Sequence, residues 1–437
     1  MYLNKDLKID KAILKDSIKA SSLCHYQAGA TIEEVQEFLW PTKDRKTDTP
    51  EKHRYLPNVT SGVELSLAGT IGTGTHGNGI RVGIMADAVL SFNLITIDEK
   101  WKVKQYQMEP TKGISDPVKF ADKNLNVKLR QDDDLFNASV TSIGCMGVVY
   151  SYILRVEPGC YLEEERILLP WNEAVEKLPE LMSNKQLQSF QLMVSPYPWY
   201  NCSWKPFTKE VPVSTSTLKY VGQNQIPRGK RPSPPKIPDS LLDDIVVFQT
   251  NHFPMLTPII LQVLLQFLSH KPIVFNACKA LNTLGGIKST KSVNVQTSEC
   301  GMEVNTAGDI IKICNSLIDL YGDLKPQKQL INVPIAFRFI KKTDKFMAMG
   351  YNRQSCMIEQ SILDGTKKAD DTLKQYRDRM RKKFEGRPHW GMLQEMNEER
   401  FKKLYKKHEC DKFQSALKKL DPNKVFTNDF TRRVFNW

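Results

Sequence analysis

The sequence predicts an α+β protein of two domains, and three observations predict it. Strand-like and helix-like segments follow one another without the regular alternation that a parallel sheet with crossover helices imposes. The 437 residues are long for one domain and comfortable for two. Hydrophobic residues make up 41% and charged residues 25%, enough for a sizeable core under a solvated surface.

The elements follow in chain order. His25-Tyr26-Gln27-Ala28-Gly29 reads as a strand entering a turn. Thr31-Ile32-Glu33-Glu34 is a capping box, and Ile32, Val35 and Leu39 form the apolar stripe of a helix that Pro41 ends. Residues 43–56 are polar and form a loop, and a glycine-rich stretch runs from Ala68 to Gly83. Ala88–Ile97 and Trp101–Gln107 flank the turn Asp98-Glu99-Lys100 as a hairpin. Phe136–Val156 holds a helix start, two glycines and a β-branched strand from Val148. Composition shifts at Glu157-Pro158-Gly159. Beyond it, Ile226–Pro238 is a proline-rich basic surface loop. Strands are expected at Ile331–Ile340 and Met347–Ile358, and tail helices end near Leu420.

The formal net charge is +13. Its basic residues cluster at helical spacing, as in Lys367–Lys383 and Arg400–Lys407, with acids interspersed. Solvated helix faces account for this better than a nucleic-acid stripe, so no nucleic-acid partner is expected. Nine cysteines without a CxxC pair argue against a zinc site or a disulfide framework and fit reduced thiols in the cytoplasm. No metal ligand set is expected. The first residues hold no apolar signal region, and the sequons at Asn58, Asn137 and Asn201 are background matches. No run has the length of a membrane span. The nearest, Phe253–Leu268, carries Gln262 and Gln266 on one helical face. It reads first as an amphipathic core helix and second as a peripheral membrane contact.

The most informative segment is Gly69-Thr70-Ile71-Gly72-Thr73-Gly74-Thr75-His76-Gly77-Asn78-Gly79. Its glycines permit positive φ and close approach of backbone N–H groups to a ligand, and successive N–H groups form an anion nest. Thr73, Thr75 and Asn78 add side-chain donors. No Gly-Lys-Ser/Thr follows, and the glycine spacing is not that of a dinucleotide fingerprint. By spacing alone the segment is either a cofactor loop or a structural turn.

As written, Thr73-Gly74-Thr75-His76-Gly77 resembles the FAD-binding domain of the vanillyl-alcohol-oxidase type, especially the aldonolactone and alditol oxidases. Gln27-Ala28-Gly29-Ala30-Thr31 is similar to that family's strand, turn and helix. Phe136-Asn137-Ala138 with Ile143-Gly144-Cys145-Met146-Gly147-Val148-Val149 resembles its second flavin-contacting stretch. Gly386-Arg387-Pro388-His389-Trp390-Gly391, then Asp421-Pro422 and Phe426-Thr427-Asn428, resemble the aldonolactone oxidase C-terminal motifs. The matches keep the family order across residues 25–430, while residues 160–325 carry none.

The resemblance implies an FAD-binding domain at 1–158, an α+β substrate-binding domain at 159–380, and a segment at 381–437 that returns to the FAD domain. It implies oxidation of a sugar lactone or other alcohol, with hydride passing to the flavin and electrons to oxygen. Gly72, Thr73, Gly74, Thr75, His76, Gly77, Asn78 and Gly79 are expected to line the flavin and its pyrophosphate. Gly144, Gly147 and Val148 are expected to contact it, and Arg338 and His389 to act in catalysis. Three departures stand out. Relatives usually show Glu-x-Arg where this chain has Ala336-Phe337-Arg338, and lysine where it has Met392. The family's first glycine-rich loop with its histidine has no counterpart ahead of His25. The FAD domain is therefore expected to be incomplete at its start and the flavin non-covalent. Two other readings keep the fold: oxidation of a larger, sterol-like alcohol, and a catalytically silent family member.

Overall fold

A computed structural model of the chain describes residues 7–41, 49–123, 126–199, 210–221, 239–281 and 295–437. The proline-rich loop expected at Ile226–Pro238 and the sequon at Asn201 lie outside the described residues.

The first region holds β1 (Leu23–Gln27), β2 (Arg54–Tyr55), β3 (Val89–Ile97), β4 (Val103–Glu109), β5 (Lys128–Gln131), β6 (Val148–Arg155) and β7 (Glu157–Pro158). Its helices are α1 (Ile32–Leu39), α2 (Leu67–Gly72), α3 (Pro117–Asp122) and α4 (Asp133–Ser139). Five strands form one sheet in the order β1-β6-β3-β4-β5, and β2 pairs with β7. The β3–β4 hairpin closes where the Asp98 carboxylate accepts from the N–H groups of Lys100 and Lys102, each at 2.9 Å. The capping box of α1 is complete: Glu34 N–H donates to Thr31 Oγ1 at 3.2 Å, and Thr31 N–H to Glu34 Oε2 at 2.9 Å.

The second region holds β8 (Tyr161–Pro170), β9 (Leu187–Val194), β10 (Pro212–Val221), β11 (His270–Asn276), β12 (Val295–Glu303), β13 (Ile335–Ile340), β14 (Ser355–Leu363) and β15 (Arg387–Pro388). They form an eight-stranded antiparallel sheet in the order β11-β8-β10-β9-β13-β14-β12-β15. The region's helices are α5 (Trp171–Ser183), α6 (Asp239–His252), α7 (Thr257–Leu268), α8 (Ala277–Leu281), α9 (Ala307–Leu324) and α10 (Ala369–Phe384). β14 begins at Ser355, later than the expected Met347. The buried Met347, Ala348 and Met349 imitate a strand in sequence, but they lie in a turn that Asn352 completes at φ +54°.

Strand alternation gives this sheet two different faces. Phe190, Leu192 and Val194 of β9, Ile335, Phe337 and Phe339 of β13, and Cys356, Ile358 and Ile362 of β14 pack into one core with residues of α5, α9 and α10. Ile340 and Met357, on the opposite face, pack into the core of the first region. That second face also carries Gln191, Ala336, Arg338, Glu359 and Glu299.

The tail supplies α11 (Glu398–Leu404), α12 (Lys407–Leu420) and α13 (Asp429–Phe435). Trp390, Phe401, Phe413 and Phe435 join Phe92, Phe136 and Tyr152 in the first core. The run Phe253–Leu268 is helical from Pro254 onward, with its buried face in α7, as expected of a core helix. α6 ends at His252, Pro254 interrupts the backbone, and the chain turns by 115° into α7. Leu261, Leu265 and Gln262 are buried, whereas Gln266 is exposed, so the two glutamines do not share an environment. No single helix among the described residues is long and apolar enough to cross a membrane.

Asn78 laces the two regions together. Its Nδ2 donates to the Phe190 carbonyl at 2.7 Å, and its Oδ1 accepts from Phe339 N–H at 2.9 Å. The β9–β13 ladder stops at the Gln191–Arg338 pair, and the carboxamide fills the next rung as a surrogate peptide. Gly79 N–H then donates to the Phe339 carbonyl at 2.7 Å. Both ends of the buried Asn78 amide are thus engaged in joining the two regions. Asn78→Ala leaves one buried N–H and one buried C=O unpaired and should cost about 2–5 kcal/mol. Urea denaturation monitored by circular dichroism measures it.

Candidate functional site

The glycine segment begins as a helix. Ser66 Oγ accepts from Gly69 N–H at 3.2 Å, and Leu67 and Ile71 are buried, so α2 takes Leu67–Gly72 out of the expected open loop. The chain then turns at Gly74, φ +70°. A Cβ at Gly77 would overlap the Val59 carbonyl, so this position admits glycine alone. Thr73 Oγ1 donates to the Gly69 carbonyl at 2.8 Å and lies 3.0 Å from Thr75 Oγ1.

Gly72 meets the second flavin-type stretch directly, where Ile143 N–H donates to its carbonyl at 3.0 Å. Gly147 needs its φ of +141°, and a side chain there would strike the Ile95 carbonyl. A Cβ placed on Gly29, Gly72 or Gly144 would meet nothing within 4 Å. Backbone at these positions is therefore bare to an approaching group, and Val148 and Tyr150 are exposed beside it on β6. A bare glycine bed next to exposed apolar side chains fits a large planar cofactor.

Charge gathers where this segment meets the second face of the eight-stranded sheet. Glu299 sits at the centre, with 1% of its side chain exposed. His76 Nε2 approaches its Oε2 at 3.3 Å, and Arg338 Nη1 its Oε1 at 3.8 Å. Arg338 also pairs with Glu359 of β14. His76 Nδ1 lies 2.8 Å from the Gly77 carbonyl, so both of its ring nitrogens face acceptors. His389 stands edge-on to His76, ring centroids 6.2 Å apart. Its Nδ1 accepts from Gly391 N–H at 3.0 Å, which leaves the proton on Nε2, 3.4 Å from Thr75 Oγ1. Sequence reading named His76, Arg338 and His389, and the fold brings them together. It missed Glu299 and Glu359. Glu359 is the lone acid of its strand, a local signal that could have raised it, whereas Glu299 follows Gln296, Thr297 and Ser298 and shares β12 with Glu303, so nothing local marks it.

Burial alone would raise the Glu299 carboxyl, but His76, then His389 and Arg338, outweigh it and hold it well below the ordinary range, at about 2. Burial works against the Arg338 guanidinium, but Glu359 and Glu299 more than offset this and raise it. Burial lowers His389 to about 4 despite the opposing charge of Glu299. A neutral buried histidine stabilises the fold above its ordinary pKa of 6.5, and that contribution is lost as pH falls from 6.5 through about 4. Glu299 contributes above 4.5 and loses it as pH falls towards about 2. Stability should therefore begin to fall below about pH 6.5 and continue falling. His389→Asn should flatten the upper limb by about 3 kcal/mol. Denaturant titrations at a series of pH values read both limbs.

Comparison with known proteins agrees with this architecture. The family model described as D-arabinono-1,4-lactone oxidase matches residues 164–434. L-gulonolactone oxidase of Mus musculus is 22% identical over 388 residues, covering 87% of this chain and 76% of that protein. L-gulono-1,4-lactone dehydrogenase of Mycobacterium tuberculosis is 23% identical over 377 residues, covering 84% and 73%. Among solved structures, a variant of cholesterol oxidase from Brevibacterium sterolicum superposes with a TM-score of 0.69 over 97% of this chain and 83% of that one. At 13% identity that likeness is one of fold. The family match covers more than half of the chain, its motifs sit at the meeting of the two sheets, and the chain belongs to the D-arabinono-1,4-lactone oxidase family.

Proposed function

We propose that this chain is an FAD-dependent oxidase of sugar 1,4-lactones that holds its flavin without a covalent bond and passes electrons to oxygen. The observation that carries this reading is the Glu299–Arg338–His76–His389 cluster, set against the bare glycine bed in a chain of this family. Backbone at Gly72–Gly79 and at Gly144–Val148 would hold the flavin. Residues 1–158 with 381–437 form the flavin-binding part of this reading, and 159–380 the substrate-binding part.

Bound flavin supplies a two-electron acceptor for the alcohol carbon of the substrate. The chain supplies position and charge. Arg338, kept protonated by two carboxylates, stabilises negative charge that builds on the reacting oxygen. His389, neutral and fixed as the Nε2–H tautomer, offers a hydrogen-bond donor beside Thr75. Glu299 lies behind both and fixes the charge that Arg338 presents. The polar row Gln191, Arg338, Glu359 on this sheet face favours a polyhydroxylated substrate over a sterol, whose body would desolvate those groups without pairing them. Phe248, Phe253, Met255 and Val263 are exposed around the α6–α7 bend, and this apolar knuckle is where a peripheral membrane contact would form.

The test is the visible spectrum after incubation with FAD and desalting, followed by anaerobic addition of D-arabinono-1,4-lactone. A retained flavin spectrum that bleaches is expected. Arg338→Lys should keep the flavin and slow the bleaching about 100-fold, because an ammonium loses the planar fork. A chain that retains no flavin overturns the oxidase reading.

A further inference from the structure

Alternation puts position 336 beside Arg338 on the second face of β13, and that position is alanine. Directly opposite Ala336 in the β13–β14 register stands Glu359. Opposed residues of an antiparallel pair share a face and lie close together. The Glu359 carboxylate accordingly reaches Arg338 and bonds its Nη1. A carboxylate thus stands beside the guanidinium, delivered by the neighbouring strand.

Exposure separates the two acids that meet Arg338. Glu299 has 1% of its side chain exposed and lies behind the guanidinium, whereas Glu359 has 21% exposed. Arg338 and Glu359 are the only positions on β13 and β14 that are not buried. Across the other edge of Arg338, the β9–β13 register places Gln191. It is buried, and neither its Nε2 nor its Oε1 has a partner among the described residues. A buried carboxamide with both ends unpaired carries a desolvation cost that a bound polar ligand would relieve.

We propose that Glu359, with Gln191 on the far side of Arg338, reads the hydroxyl pattern of the substrate, and that Glu359 takes the place an acid at position 336 would hold. The assignment rests on the lactone reading above. The chemistry of the row is ordered. Glu359 only accepts hydrogen bonds, Arg338 only donates, and Gln191 does both. Neighbouring strands lie about 4.8 Å apart, so the three side chains span roughly 10 Å, the reach of a five-membered lactone with its hydroxylated side chain. Hydroxyl protons point to Glu359, and ring or carbonyl oxygens to Arg338 and Gln191.

The experiment measures binding rather than turnover. Dithionite-reduced holoenzyme is titrated calorimetrically with D-arabinono-1,4-lactone, with flavin content and melting temperature followed in parallel. Glu359→Gln keeps the shape and removes the charge, and should weaken binding about 10- to 100-fold with flavin retained. The double variant Ala336→Glu/Glu359→Gln returns a carboxylate to the same place from β13 and should recover most of the loss. A purely structural role for Glu359 would show no such rescue in affinity. Gln191→Leu leaves the ion pair intact and should weaken binding in the same direction. Unchanged affinity in Glu359→Gln, or a loss that the double variant does not restore while flavin and melting temperature hold, overturns the assignment alone. A flavin-loaded unsubstituted protein that binds no lactone overturns the substrate reading and this assignment with it.

Discussion

The ionised Glu299 is the constraint around which the rest of the site is built. An isolated carboxylate buried in a protein interior is strongly disfavoured and would take up a proton. Glu299 remains charged because His76 and Arg338 approach its two oxygens, with His389 beside them. They come from the glycine segment (His76), from β13 (Arg338) and from the stretch after β15 (His389). These segments are far apart in sequence. Their convergence requires the first region, the eight-stranded sheet and the tail to assemble in one arrangement, so the site and the tertiary fold depend on each other.

Local signals carried much of this into the sequence. The capping box of α1, the β3–β4 hairpin and the tail helices are short-range features, and they appear where residue chemistry puts them. The glycine segment was legible as a motif but not in its division of labour. Helix α2 follows from the local cap at Ser66, but the Asn78 clamp depends on the carbonyl of Phe190, which no local reading brings near. Glu359 was illegible for a similar reason. Its relation to Ala336 exists only through the register of β13 against β14, so the sequence showed an absent acid and not its neighbour. The apolar run at Met347 misled because burial and strand formation are separate properties, and the chain there turns, with Asn352 at positive φ.

The eight-stranded sheet shows how one element serves two purposes. Its even and odd positions face different environments, so the apolar residues that fix β9, β13 and β14 on α5, α9 and α10 leave the alternate positions free for polar side chains. Those polar residues inherit the rigidity of the sheet. Their spacing is set by backbone hydrogen bonds and not by flexible loops.

The Asn78 rung and the neighbouring Gly79 bond bear on how anything enters this site. Opening the two regions like a clamshell would break three buried hydrogen bonds to backbone. Rigid-body hinging at this seam therefore has a high barrier. Access must come from motion of individual side chains and surface segments over a fixed frame, and the rate of exchange is then governed by local gating and not by domain opening.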